Sequence, residues 1–300
     1  MRFGRVVTAM ITPMHENGSV HYEEAFRLAS WLCDRGTTAL VVCGTTGEGP
    51  TLDDDEKLRL FRTLVDAVGE RVPVIANTGS NDTRRSIELS KRAQQCGVDA
   101  LLLVGPYYNK PPQAGLIAHF RAIVDAVPLP AMIYNIPSRT AVNVSGDSML
   151  ELAEHPQIVA VKESSGDLAQ ITEVAARAPA GFDVYSGDDH LALPAAAVGA
   201  CGVVSVVSHV GGEQLAEMYA AFFGGDIGAA AAIHQRLMPL VRAMFATTNP
   251  IPVKAAMCAL GFAAGRCRPP LCELSAEQQR SLTTTLQAWQ GTSADGQGST

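Results

Sequence analysis

Eight short apolar runs, each followed by a longer stretch of helical period, limit what this chain can fold into more than any other feature. The runs fall at 5–10, 39–43, 73–76, 100–104, 131–134, 158–161, 182–185 and 202–207, and several (ALVVC, ALLLV, IVAV) carry no polar residue at all. Such runs suit strands covered on both faces, as a parallel sheet requires. The stretches 22–35, 53–68, 83–96 and 167–177 are amphipathic, and several open on acidic residues that favour the positive end of a helix dipole. Eight strand-plus-helix units of roughly 20–35 residues predict an α/β fold of the (β/α)8 barrel type. A doubly wound open sheet would place G-x-G-x-x-G after the first strand, where Thr12-Pro13-Met14 stands instead. The 300 residues nominally allow two domains, but a barrel absorbs that length as one. The expected division is a barrel over 1–225, a helical region over 226–292 broken by Asn249-Pro250-Ile251-Pro252, and a flexible tail over 293–300.

Charge and composition exclude several classes of partner. With 23 basic against 30 acidic residues the net charge is −7, which disfavours nucleic acid and anionic membranes. No apolar stretch approaches the roughly 18 residues of a membrane span, and the N-terminus reaches Pro13 and His15-Glu16-Asn17 too soon for a secretory signal. The seven cysteines are odd in number and scattered without C-x-x-C, so they read as reduced, mostly buried side chains of a cytoplasmic protein. Histidines 15, 21, 119, 155, 209 and 234 fall in no ligand spacing, and no metal site is expected. The acidic residues of Ser186-Gly187-Asp188-Asp189-His190 read as caps of the next helix.

A barrel of this kind collects its reactive groups where strands end. Those positions hold Gly44-Thr45-Thr46-Gly47-Glu48, Gly105-Pro106-Tyr107-Tyr108-Asn109, the run from Tyr134 to Thr140, Lys162-Glu163-Ser164-Ser165-Gly166-Asp167, and Ser186-Gly187-Asp188-Asp189. Tyr134 and Lys162 are 28 residues apart, one unit, and so are expected on adjacent strands. Lys162 follows Ile158-Val159-Ala160-Val161, so its stem starts in an apolar strand, and burial of this kind disfavours a charged amine. A neutral amine is what attack on a carbonyl needs; the plainer reading is a lysine that turns to solvent or pairs with Glu163. Tyr134 suits proton transfer beside an imine, and Thr45 and Tyr108 can pass a proton onward. For both tyrosines the plainer reading is core packing. Arg139 is a fork of donors for a carboxylate, or else half of a surface ion pair. The glycine-rich GTTGEG loop offers backbone N–H groups to an anion, without the G-K-[ST] ending of a nucleotide loop.

GTTGE, PYYN, YNIPSRT, the lysine of VKESSGD, SGDD and NPIPVK occur in an order and at spacings by which the chain, over about residues 4–290, resembles the pyruvate-dependent class I aldolases of the dihydrodipicolinate synthase and N-acetylneuraminate lyase family. The resemblance implies that Lys162 forms a Schiff base with pyruvate and that Tyr134 shuttles protons to and from the imine. It implies that Thr45 and Tyr108 relay those protons, Tyr108 reaching in from a neighbouring subunit of a homotetramer. Thr46 would hold the pyruvate carboxylate, Arg139 the carboxylate of aspartate semialdehyde, and Val204, through its backbone, and Gly187 would complete the substrate site. The implied reaction condenses pyruvate with L-aspartate 4-semialdehyde in lysine and diaminopimelate biosynthesis, with no metal or organic cofactor.

One position departs from the pattern. Lysine-inhibited relatives carry a glutamate where Arg85 stands, near positions 49, 50, 54 and 57, Asn81 and Tyr107. A cation facing the ammonium of lysine implies weak or absent inhibition. Three other readings compete: a sibling aldolase for a 2-keto-3-deoxy sugar acid or N-acetylneuraminate, a keto-acid sensor without catalysis, and a sugar-phosphate barrel. Arg139 in its S-R-T context speaks against the first, an intact Lys162, Tyr134 and Thr45 against the second, and only Gly187 and Gly211-Gly212 loosely favour the third.

Overall fold

The computed structural model describes residues 2–295. Eight parallel strands close into a barrel in chain order, with β8 returning to β1: β1 (Val6–Ala9), β2 (Ala39–Val42), β3 (Val74–Asn77), β4 (Ala100–Val104), β5 (Ala131–Asn135), β6 (Ile158–Glu163), β7 (Asp183–Ser186) and β8 (Gly202–Ser205). Every apolar run of the sequence supplies one strand. Nearly all their residues are buried because the barrel fills one face and the helices cover the other. Between the strands lie α1 (Tyr22–Cys33), α2 (Asp54–Val68), α3 (Thr83–Gln94), α4 (Gln113–Ala126), α5 (Pro137–Thr140), α6 (Gly146–Ala153), α7 (Leu168–Arg177) and α8 (Ala192–Ala197). Then follow α9 (Ser208–Phe223), α10 (Ile227–Met244), α11 (Ile251–Ala259) and α12 (Ala276–Asp295).

The pleat sorts side chains onto two cores. Val7, Val41, Ile75, Leu102, Met132 and Tyr185 are among those that fill the barrel interior. Alternate residues such as Val6, Leu40, Val74, Leu101, Ile133 and Val161 pack outward against the helices. Helix starts follow their caps: Asp53 and Glu56 form a reciprocal capping box on α2, and Asp82 and Asp167 accept from the first N–H groups of α3 and α7.

After the barrel, α10 packs on α9, and α12 on α10 and α11. The break expected at 249–252 lies at 245–250, between α10 and α11, because Ile251 and Pro252 already open α11, proline being tolerated in a first turn. A second, longer non-helical stretch, not expected from the sequence, spans 260–275, where Gly261 and Gly265 take positive φ and Pro269-Pro270 lacks amide donors. This segment is anchored to the barrel: Ala264 O accepts from Met14 N at 3.0 Å, and Ala263 N donates to Glu24 at 2.6 Å. Helix α12 runs to Asp295, three residues into the stretch expected as a tail; 296–300 lie outside the described residues.

All seven cysteines are free, but only Cys43 and Cys96 are buried. Cys33, Cys201 and Cys267 are half-buried, and Cys258 and Cys272 are exposed. Among the described residues no helix is long and apolar enough to cross a membrane, and no group of three or more His, Cys, Asp or Glu could hold a metal ion.

Candidate active site

Lys162 is the penultimate residue of β6, and its register partners are Tyr134 on β5 and Tyr185 on β7. All three project inward. Lys162 is 5% exposed, and its Nζ lies 4.1 Å from the centroid of the Tyr134 ring, a cation–π distance if the amine is charged. Glu163, one residue on, points to the opposite face. There it accepts from Asn135 Nδ2 at 3.0 Å, Ser165 N at 2.8 Å and Gln170 Nε2 at 2.9 Å. Burial pushes its carboxyl up and these donors oppose the shift. The alternation of the strand therefore removes the Lys162–Glu163 pair that sequence adjacency allowed.

The turn after β7 presses on the lysine. A methyl on Gly187 would stand 1.8 Å from Ser164 Oγ and 3.0 Å from Lys162 Cε, so only glycine fits there. Gly187 N donates to Glu163 O at 2.7 Å, which holds the two strand ends together.

A cavity of about 390 Å³ opens beside this cluster, walled by Thr45, Asn77, Val104, Tyr134 and Arg139 together with Lys57, Arg85 and Tyr107. Tyr134 lines it and also neighbours Lys162, which does not itself line it. Thr46 is not on the wall: it is 2% exposed, and its Oγ1 accepts from Asn249 Nδ2 at 3.0 Å. Asn249 O in turn lies 3.4 Å from an Arg139 nitrogen. One residue of the C-terminal region thus joins the two groups expected to bind carboxylates, and no local pattern in the sequence announces it.

The GTTGE loop is held from outside the barrel. Glu48, at φ 54°, forms an ion pair of 2.7 Å with Lys254 of α11, the side chains 1% and 2% exposed. Lys254 Nζ also donates to Arg266 O at 2.9 Å, and Glu48 accepts from Arg268 N at 2.8 Å. A side chain on Gly49 would meet Cys43 O at 2.1 Å, which is why the loop turns on glycine there.

Of the expected residues Thr45, Tyr134 and Arg139 line the cavity, whereas Lys162, Thr46, Gly187, Tyr108 and Val204 do not. Tyr108 is 90% exposed with φ 72°, so within one chain it does not reach Tyr134. Val204 is fully buried in the barrel interior, opposite Val7 on β1.

Asp189 corrects the capping reading of Ser186–His190. The helix after it has no side-chain cap. Instead the fully buried Asp189 carboxylate accepts from Ser205 Oγ, from Val206 N at 2.9 Å and from Val207 N at 3.2 Å. It thereby takes the amides that a sugar-phosphate barrel keeps open for phosphate after its last strands, which removes that reading. Beside it His209 bridges β8 to β1, Nε2 accepting from Ile11 N at 3.2 Å and Nδ1 donating to Val206 O at 2.8 Å. Burial lowers its pKa to about 4, so the ring stays neutral.

Three buried polar atoms at this end have no partner among the described residues: Asn77 Oδ1, Ser164 Oγ and Asn249 Oδ1. The sequence offered no signal for them: Ser164 and Asn249 lie in runs read for their neighbours, and Asn77 lies in none.

Comparison with known proteins agrees with this fold. The model of the dihydrodipicolinate synthetase family matches residues 2–289. A 4-hydroxy-tetrahydrodipicolinate synthase of Halalkalibacterium halodurans is 52% identical over 286 residues, 95% of this chain and 97% of that protein. The crystal structure of a Bacillus anthracis dihydrodipicolinate synthase superposes with a TM-score of 0.94 at 47% identity, covering 96% of this chain and 99% of that one. A Cyanidioschyzon merolae enzyme of the same name, solved with lysine bound, gives 0.94 at 45% identity over 95% and 98%.

Proposed function

The chain belongs to the dihydrodipicolinate synthetase family, and from that premise we propose that Lys162 is the amine through which it condenses pyruvate with aspartate semialdehyde to 4-hydroxy-tetrahydrodipicolinate, as a lyase of lysine and diaminopimelate biosynthesis. The observation that carries the assignment is the buried Lys162 Nζ against the face of Tyr134. The amine adds to the pyruvate ketone and water is lost, giving an imine. Loss of a methyl proton, with Tyr134 as carrier, yields an enamine, a carbon nucleophile at neutral pH. The enamine adds to the aldehyde of the second substrate, whose carboxylate is held by Arg139 at the cavity wall. The substrate's own amine then displaces Lys162 as the ring closes. The imine itself is the electron sink, so this chemistry needs no metal or organic cofactor.

Thr45 continues the proton path from the wall, and Thr46, oriented by Asn249, holds the pyruvate carboxylate. Val204 and Gly187 complete the substrate site, Gly187 by making room for the lysine stem. Tyr108, exposed and held in a left-handed backbone, serves the site of a neighbouring copy in a homotetramer of the cytoplasm. An aldolase for sugar acids is the weaker reading, because Arg139 offers charge where a sugar would call for neutral polar groups.

Borohydride reduction in the presence of pyruvate, read by peptide mass spectrometry, is expected to add one pyruvyl group to the peptide bearing Lys162. Aspartate semialdehyde is expected to turn over in the same preparation. An adduct without that turnover would turn the search to sugar acids; no adduct would make Lys162 structural.

Lysine is expected to inhibit weakly. On the cavity wall Lys57, 9% exposed, stands with Arg85, whose guanidinium reaches Asp54 at 3.3 Å. A lysine ammonium placed there meets two cations, which costs several-fold or more in affinity. Half-inhibition at sub-millimolar lysine would contradict this.

A further inference from the structure

Ser164 is a buried hydroxyl without a use in the scheme above. It is 6% exposed, and its Oγ has no hydrogen-bond partner among the described residues. Buried hydroxyls normally find one, and an orphan in a native site points to a group that arrives with a ligand. Its backbone is fixed, since Ser164 N donates to Asn135 O at 2.8 Å. Strand alternation turns it inward with Lys162 while Glu163 points out. The position a methyl would take on Gly187 lies 1.8 Å from Ser164 Oγ, 3.0 Å from Lys162 Cε and 3.1 Å from Lys162 Cγ, so hydroxyl and lysine stem border one small space.

We propose that Ser164 is a further catalytic residue, whose hydroxyl donates a hydrogen bond to the oxygen of the carbon that Lys162 attacks. The proposal rests on Lys162 forming the imine with pyruvate. Addition forms the bond between Nζ and C2 and turns the ketone oxygen into a hydroxyl. Dehydration breaks the C2–O bond and releases that oxygen as water. Both protons of that water come from the lysine ammonium, carried by Tyr134, so an iminium and water account for ammonium and ketone. Ser164 transfers no proton. It stabilises charge on the oxygen as it forms and as it leaves, in a site shielded from solvent.

The test is rapid mixing with pyruvate followed by a borohydride quench at increasing times, on the full chain and on Ser164→Ala and Ser164→Thr. For Ser164→Ala the maximal rate of adduct formation is expected to fall tenfold to a hundredfold. The pyruvate concentration at half-maximal rate should stay within a factor of two, and Tm should be unchanged or higher, because an unpaired buried hydroxyl has been removed. Ser164→Thr is expected to recover most of the rate. An unchanged maximal rate, or a loss seen only as weaker pyruvate binding, would overturn the assignment. So would a fall in Tm large enough to mark a packing defect, with no recovery by threonine. If the parent chain itself forms no adduct, the Lys162 reading fails first; if the parent forms one and Ser164→Ala matches it, only the role of Ser164 fails.

Discussion

Replacing Lys162 by methionine is expected to abolish borohydride-trappable adduct and to lower kcat by about 10⁴-fold or more, as removal of a covalent nucleophile does, while Tm stays level or rises. The two halves of that result have separate causes. Without the amine no enamine forms, and neither Tyr134 nor Arg139 supplies another route to a carbon nucleophile. Stability moves the other way because the Lys162 amine lies at 5% exposure against an aromatic face, and Asp188, the carboxylate that feels its charge, forms no ion pair with it. Such a group is costly to bury, and a thioether of similar length fills the same space without that cost. Differential scanning calorimetry beside the adduct assay reads both effects. A methionine variant with lost activity and a lower Tm would mean that Lys162 supports the barrel rather than the chemistry.

Replacing Lys254 by methionine is expected to lower stability by about 3–5 kcal/mol, because it strands Glu48 as a charge buried in the fold. In a chain of this size that corresponds to a fall in Tm of about 10 °C. Glu48 would keep the amide of Arg268 as a donor but lose the ammonium at 2.7 Å, and Arg266 O would lose its donor at 2.9 Å. Turnover should fall as well, since the loop that Glu48 anchors carries Thr45 and Thr46. Glu48→Gln in the Lys254→Met background is expected to recover at least half of the lost stability, because the uncompensated charge has gone. If the double variant is as unstable as the single one, packing of the lysine stem, and not the ion pair, holds the loop. Calorimetry on the two single variants and the double one completes the cycle.

Local sequence made the barrel legible because burial on both faces writes itself into continuous apolar runs, and the 28-residue spacing of Tyr134 and Lys162 sufficed to place them side by side on β5 and β6. The reaction was legible only through the resemblance of its motifs to a known family; strand-end position alone collected the candidate residues at one mouth. Cysteine burial and the role of Asp189 were not legible. A scattered cysteine carries no period, and an aspartate at a strand end looks the same whether it caps the next helix or captures amides from β8.

What the sequence by itself determined is therefore the fold and the inward-facing lysine, which follow from near-neighbour periodicity and spacing, and the family, which its motifs gave by resemblance. Tertiary structure alone decided which groups meet across long separations: Asn249 on Thr46, Lys254 on Glu48, Asp189 on Val206 and Val207, and Ser164 against Gly187. Those contacts depend on barrel closure and on the return of the C-terminal helices, and hydrogen bonds and ion pairs act through distances that chain order does not record.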